Sequence, residues 1–206
     1  MNEILLIGGG GHCRACIDVI ESTDLFRIAG IVQPTNEVRE TVIGYSVIGT
    51  DDELPSLLRN IPMALVTVGQ IKSFQVRKRL FKQMQSLGAQ LPIIRSPIAY
   101  LSRRAVVGPG SILMHGCVVN VNASIGVNCI INNLALVEHD VRIEDYCHIS
   151  TGARVNGNVR IGKGCFIGSG AILREGISIG EGCIISAGQV VMKDVPAGTI
   201  LKGRHA

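Results

Sequence analysis

The sequence predicts a small α/β, Rossmann-like N-terminal domain followed by a parallel β-helix of hexapeptide repeats. Three observations support this fold class. An aliphatic residue recurs at every sixth position through the second half of the chain. Near the N-terminus, an apolar run enters a glycine-rich turn and then a helical pattern. The 206 residues are 47% hydrophobic but only 3% aromatic and include 25 glycines, so we expect a core of aliphatic and small side chains.

The repeat runs from Leu101 to Val191 without a break. All sixteen positions counted in steps of six are Ile, Leu or Val. The residue four positions after each of them is in most cases small. In a triangular solenoid the aliphatic residue points into the prism and the small residue allows a tight corner. Three hexads then form one coil of 18 residues, so this region predicts about five stacked coils.

Four cysteines support the coil length. Cys129, Cys147, Cys165 and Cys183 are each 18 residues apart and are expected to stack along one inner wall. A free cysteine behaves as a small buried hydrophobe, and no CxxC pair accompanies these residues, which disfavours zinc. Although Cys147 precedes His148, its inward position excludes it as a nucleophile.

The first part of the chain lacks the hexad and alternates strand and helix patterns. We therefore predict one domain over residues 1–92, a parallel sheet of about three strands, and a second domain over 93–206. Basic residues of the last predicted helix are expected on its outside, namely Arg77, Lys78, Arg79 and Lys82. Predicted strands cover 4–7, Arg27–Val32 and Ala64–Val68, and predicted helices cover Cys13–Ser22 and Ser73–Ser86.

A glycine-rich turn, Gly8 to Gly11, separates the first predicted strand from the first helix. Such a turn presents backbone N–H groups to a phosphate. The second strand ends in Gln33-Pro34 rather than in an acidic residue, so the dinucleotide pattern is incomplete and a mononucleotide is favoured. The turn at Gly69 follows another strand and is a candidate for the same cleft.

Composition and charge disfavour several classes of protein. No run of 18 apolar residues is present, and the N-terminus does not resemble a secretory signal, so a membrane role is not expected. The odd number of cysteines, seven, favours a reducing cytoplasm. The net charge of +4 has no long basic run, which disfavours nucleic acid as a partner.

Together the two halves resemble the sugar O-acyltransferases and nucleotide-sugar N-acetyltransferases of bacterial glycan pathways. The bacillosamine-pathway UDP-4-amino-sugar acetyltransferases and the sialic-acid O-acetyltransferase relatives are the most similar. The resemblance covers nearly the whole chain and depends on Gly11-His12, Gly69-Gln70, the hexads and the segment INNLALVEHD at 131–140. It implies a left-handed β-helix, acetyl-CoA as co-substrate, no metal, and a homotrimer with active sites at subunit interfaces.

The resemblance also assigns roles to individual residues. His139 matches the general base, Asp140 its acidic neighbour, and His148 the histidine at the thioester end of acetyl-CoA. The segments 33–34, 95–97 and 203–206 depart from the family pattern, so the base recognised and the role of the tail stay open. The implied CoA contacts are Gly157, Ser169 and Ala187, and the implied nucleotide-sugar contacts are Gly10, Gly11, His12 and Gly69.

The leading hypothesis is therefore acetyl-CoA-dependent N-acetylation of a nucleotide-linked 4-amino-deoxy sugar. The alternatives are O-acetylation of sialic acid or a related sugar and a non-catalytic sugar-nucleotide-binding module. A zinc site of His115, His139 and His148, as in β-helical carbonic anhydrases, is disfavoured because the histidine spacing does not match that class.

Overall fold

The computed structural model describes residues 1–34 and 40–203. It contains a five-stranded sheet flanked by helices, followed by a left-handed parallel β-helix. The predicted fold class is confirmed. The predicted boundary between residues 92 and 93 lies between the last helix of the first part and the first strand of the β-helix.

The N-terminal sheet has the order β3-β4-β2-β1-β5. Strands β1, β2, β4 and β5 are parallel, whereas β3 and β4 form an antiparallel hairpin. The sheet is thus wider than the three strands predicted. Its elements are β1 (Asn2–Ile7), α1 (Gly11–Glu21), β2 (Phe26–Gln33), β3 (Thr41–Val42), β4 (Tyr45–Thr50), a 3-10 turn (Asp51–Glu53), α2 (Leu54–Asn60), β5 (Met63–Val66) and α3 (Gln75–Ser86).

The β3–β4 hairpin escaped prediction because its turn uses an unfavourable residue. Ile43 and Gly44 occupy the turn with φ angles of 42° and 83°. Two-residue hairpin turns with positive φ strongly prefer Asn-Gly or Asp-Gly, and a β-branched residue rarely adopts this conformation. The sequence therefore carries no recognisable turn signal at this point.

The β-helix has three flat sheets, one on each side of the prism. Sheet I consists of β6 (Ile94–Arg95), β9 (Ile112–Leu113), β12 (Ile130–Ile131), β15 (His148–Ile149), β18 (Phe166–Ile167), β21 (Ile184–Ile185) and β23 (Ile200–Leu201). Sheet II consists of β7 (Tyr100–Leu101), β10 (Val118–Val119), β13 (Leu136–Val137), β16 (Arg154–Val155), β19 (Ile172–Leu173) and β22 (Val190–Val191). Sheet III consists of β8 (Val106–Val107), β11 (Ser124–Ile125), β14 (Arg142–Ile143), β17 (Arg160–Ile161) and β20 (Ser178–Ile179).

The hexad residue is the second residue of each strand from β7 to β22 and points into the prism. From Leu113 to Val191 these side chains are at most 5% exposed. The cysteine ladder is also confirmed, since its four members are at most 1% exposed. Each thiol donates a hydrogen bond to a backbone carbonyl of the next coil at 3.0–3.3 Å, so these cysteines serve packing.

The N-terminal part and the β-helix pack against each other through apolar side chains. Helix α1 packs on sheet I, where Ile94, Ile112 and Ile130 join the core beneath it. On the other face of the N-terminal sheet, Tyr146 of the β-helix packs against α3 through Phe81, with ring centroids 5.9 Å apart. The β-helix therefore fixes the position of the glycine-rich turn.

The prediction that Arg77 lies on the outside of α3 is wrong. Its side chain is 1% exposed and donates to the carbonyl oxygens of Val66 and Val68, at 2.9 and 2.6 Å, and of Asn128 at 3.1 Å. Arg77 therefore connects α3, the end of β5 and the β-helix. Lys78 is half-buried, whereas Arg79 and Lys82 are exposed as predicted.

Candidate active site

The predicted catalytic pair lies at the corner between sheets II and III. This corner, which we call corner II–III, includes residues 121, 139, 157, 175 and 193, one from each successive coil. The backbone turns at Asp140 with φ of 60°, a left-handed conformation that Asp tolerates better than most residues. As a result, the Asp140 carboxylate lies beside the His139 ring, with Oδ2 2.9 Å from Nδ1.

The pair has the geometry of an oriented base. A carboxylate only accepts hydrogen bonds, so Nδ1 of His139 carries the proton and Nε2 keeps its lone pair. Asn122 donates to the other Asp140 oxygen at 3.3 Å and helps to hold it. The hydrogen bond that His139 donates to Asp140, aided by the negative charges of Asp140, Glu138 and Glu175, raises the pKa of His139 above its ordinary value. The His139 and Asp140 side chains are 45% and 46% exposed, so both are open to a substrate.

Gly157 lies directly against the His139 ring, one coil away along corner II–III. A Cβ at this position would lie 2.6 Å from both Cε1 and Nε2 of the ring. Real Cβ contacts are not this short, so a side chain here would push the ring aside. Gly157 was predicted to contact CoA, and the structure places it beside the predicted base.

We expect Gly157→Ala to lower kcat about tenfold or more while leaving the melting temperature nearly unchanged, because a displacement of the base of about 1 Å is costly to catalysis. Steady-state kinetics and thermal denaturation measure the two effects. The matched control is a double-mutant cycle. In a His139→Ala background the same substitution should have no further effect on kcat, and an undiminished effect there would refute the link to the ring.

A second group of predicted residues lies at the glycine-rich turn. Gly10 precedes α1 and Gly11 begins it, and a Cβ on either would meet no atom within 4 Å. Helix α1 therefore begins beside open space, and a phosphate is stabilised at the N-terminus of a helix. His12 is partly buried behind the turn, and burial, assisted by the positive charge of Arg77, lowers its pKa to about 3.

His148 lies between the two domains rather than on an open surface. Nδ1 is 2.7 Å from the Gln70 carbonyl oxygen, and Asn132 Nδ2 is 3.1 Å from Nε2. Burial lowers the pKa of His148 to about 4, so the ring is neutral near pH 7. A carbonyl only accepts, so the proton is on Nδ1 and Nε2 is an acceptor. In this arrangement His148 cannot donate to an oxyanion.

The remaining predicted contacts lie at another corner. Ser169 and Ala187 are exposed on the corner between sheets I and II, which we call corner I–II. His12 is near His148, with ring centroids 6.4 Å apart, and the Gly69 turn lies beside His12. Within one chain, the predicted site residues therefore lie in three separate places: corner II–III, corner I–II and the interface between the N-terminal domain and the β-helix.

His115 has a structural explanation. Its Nε2 lies 2.8 Å from Asp18 Oδ2 of α1, and its Nδ1 lies 2.7 Å from Ser96 Oγ. It thus ties α1 to the β-helix at corner I–II, away from His139 and from His148 on sheet I. In the ranges that the structure describes, no group of three or more His, Cys, Asp or Glu side chains is arranged to hold a metal.

Family models match both parts of the chain. The PglD N-terminal domain matches residues 3–84, and the hexapeptide repeat of succinyl-transferase matches residues 158–193. A comparison with curated proteins finds no match.

None of the helices in the described ranges has the length and apolar character needed to cross a bilayer. The fold and these matches define the class as a hexapeptide-repeat acyltransferase.

Solved structures narrow the class to a family. The acetyltransferase domain of PglB from Neisseria gonorrhoeae is 31% identical, with a TM-score of 0.91 over 98% of this chain and 97% of that one. PerB from Caulobacter crescentus, in complex with CoA and GDP-perosamine, is also 31% identical, with a TM-score of 0.88 over 97% of this chain and 93% of that one. The chain belongs to the sugar acetyltransferase family that these proteins represent.

Proposed function

We propose that this enzyme transfers the acetyl group of acetyl-CoA to the amine of a nucleotide-linked 4-amino-deoxy sugar. The observation that carries the proposal is the His139–Asp140 pair, an exposed and oriented base on a β-helix corner. The similar PglB domain has been solved with acetyl coenzyme A, and the similar PerB with CoA and GDP-perosamine. These ligands support a nucleotide sugar and a CoA thioester as the two substrates.

The chemistry requires a base and no covalent intermediate with the enzyme. The amine nitrogen attacks the thioester carbonyl carbon, a C–N bond forms, and the C–S bond then breaks. His139 Nε2 accepts the proton that the amine loses and returns it to the departing sulfur. Asp140 fixes the ring tautomer and stabilises the imidazolium that forms transiently. Because His148 Nε2 is an acceptor, we expect backbone N–H groups to stabilise the oxyanion.

The division of the site within one chain supports an active site between subunits. His139 lies at corner II–III, whereas the glycine-rich turn lies beside sheet I. A second copy would bring its corner or its N-terminal domain to the His139 of the first. We therefore place the proposed active site at the interface between neighbouring subunits of a homotrimer.

The outer surface of sheet II is suited to this interface. Tyr100 and Val190 are 58% and 61% exposed there, and Leu134 and Met192 at its borders are 68% and 52% exposed. We expect light scattering to give about three times the 21.9 kDa chain mass. Val190→Asp should lower that mass because it places a charge in the apolar surface, whereas Ser178→Asp on sheet III is the control. A monomeric wild-type protein would contradict the shared site.

The direct test is acetyl transfer to a panel of UDP-, dTDP- and GDP-linked amino sugars, followed by thiol release and mass spectrometry of the product. We expect transfer to the sugar nitrogen of at least one of them. Transfer to a hydroxyl of a sugar that carries no nucleotide would instead support the O-acetyltransferase alternative. Absence of acetyl-CoA binding in calorimetry would support a non-catalytic binding module.

A further inference from the structure

A cavity of about 190 Å³ lies at the carboxyl ends of β1, β2, β4 and β5. It is smaller than the roughly 300–1,000 Å³ pockets that enclose a whole drug-sized ligand, so it suits one part of a nucleotide sugar. The turn Gly8–Gly10 forms one wall, Pro34 and Asp51 form a second, and α3 forms a third.

The direction of the substrate follows from the positions of its other parts. A phosphate fits at Gly10 and Gly11, where α1 begins. The sugar must then extend toward the β-helix, on the side of His12 and His148. The nucleoside extends the opposite way, into the cavity. Strand β1 lies between β2 and β5, the point in an open α/β sheet where nucleotides bind.

Two charged side chains meet in this cavity. Asp51 Oδ2 lies 4.0 Å from Arg79 Nη2, and the side chains are 23% and 60% exposed. Asp51 follows β4, and Arg79 extends from α3. On the same wall, Val76 and Leu80 of α3 offer an apolar surface to the face of a base. The cavity thus presents the two acceptor oxygens of the Asp51 carboxylate beside the N–H donors of the Arg79 guanidinium.

We propose that this cavity holds the base of the nucleotide sugar and that Asp51 and Arg79 select guanine. The inference rests on the proposed function, since it identifies the nucleotide of that substrate. Guanine carries O6 beside N1–H and N2–H₂, so the carboxylate accepts from both N–H groups while the guanidinium donates to O6. Uracil and thymine offer one N–H between two carbonyls, and the second carbonyl would face a carboxylate oxygen. Adenine and cytosine present a ring-nitrogen lone pair to the carboxylate.

Gln33 supplies an independent observation beside the cavity. Its side chain is 1% exposed, yet neither its amide nitrogen nor its amide oxygen has a hydrogen-bond partner among the described residues. The amide lies against Gly9, which lines the cavity. In related nucleotide folds an acidic side chain at the end of the second strand hydrogen-bonds to the ribose, and Gln33 occupies the corresponding position here. Ribose hydroxyls both donate and accept, so they match the unpaired carboxamide of Gln33.

The test is calorimetric titration of the full-length protein with GDP, UDP, dTDP and ADP. We expect GDP to bind about 10- to 100-fold more tightly than the others. Asp51→Asn should reverse this preference toward xanthosine diphosphate. Xanthine has a carbonyl where guanine has N2–H₂, and the asparagine amide can donate to it. The matched control is Asp52→Asn, which changes the next, exposed carboxylate outside the cavity and should leave the ranking unchanged.

The outcomes separate this inference from the proposed function, because nucleotide binding is measured without acetyl transfer. Equal affinity for GDP and UDP, or a GDP preference that survives Asp51→Asn, overturns the guanine assignment while transfer to an amino sugar stands. If none of the four nucleotides binds, the nucleotide site itself fails, and the guanine assignment fails with it. A switch to xanthosine diphosphate supports the assignment, since a residue that only stabilises the fold would not produce it.

Discussion

Replacing His139 with alanine is expected to lower kcat for acetyl transfer by about 10²–10⁴-fold, the usual contribution of a positioned general base. The Nε2 lone pair of His139 is the proton acceptor at the corner, and alanine cannot replace it. The fold should be unaffected because the ring is 45% exposed. Lys193→Ala, at an equivalent exposed position of the same corner, is the matched control. Equal rates for the wild type and the His139 variant would eliminate the proposed base.

The pH dependence gives a second readout for the same pair. The base must be neutral, so kcat/KM rises as the pH passes the pKa of His139. Asp140 raises that pKa, which places the rise above the ordinary histidine value of about 6.5. In Asp140→Asn the rise should move to lower pH, and the maximal kcat should fall because the ring tautomer is no longer fixed. An unshifted profile would show that Asp140 does not act on His139.

Replacing Arg77 with methionine is expected to lower the free energy of unfolding by about 3 kcal/mol or more, since each buried carbonyl left without a donor costs roughly 1–3 kcal/mol. Arg77 donates to the backbone of Val66, Val68 and Asn128, and methionine fills similar volume without donating. Chemical denaturation followed by circular dichroism measures the change.

The control for Arg77 is Lys82→Met on the same helix. Lys82 is exposed, so its replacement should alter the stability by no more than about 0.5 kcal/mol. The Arg77 variant should also bind nucleoside diphosphates more weakly, because its contact with Val68 holds the turn that leads to Gly69. A change in stability below about 1 kcal/mol would mean that water replaces the guanidinium at these carbonyls.

The β-helix was predictable because its determinants are local and repeated. The six-residue spacing is enough to predict that each hexad residue, such as Ile149, points inward, and the cysteine spacing gives the length of a coil. The outward direction of His139 followed from the same count. The first strand, the glycine-rich turn and α1 were also recognisable, because an apolar run, glycines and a helical period follow one another directly.

The features that sequence analysis missed depend on residues distant in the chain. Arg77 was predicted to be a surface residue because basic residues usually face water. In the structure, Asn128 of the β-helix supplies two of the oxygen atoms that accept hydrogen bonds from its guanidinium. Asp51 and Arg79 come from a strand end and a helix and share no periodic pattern. Likewise, no spacing revealed that Gly157 contacts the ring of His139, although the 18-residue coil makes them neighbours.

The regular coil has a consequence for how such enzymes diversify. A residue's remainder after division by 18 gives its direction around the prism, and the quotient gives its height along the axis. The two coordinates vary independently, and one step of height is about 4.8 Å. Moving a His-Asp pair from 139–140 to 157–158 would keep the direction in which its side chains point and change only its distance from the N-terminal domain. Substrate length can therefore evolve by whole coils, while the orientation of the reacting group stays constant.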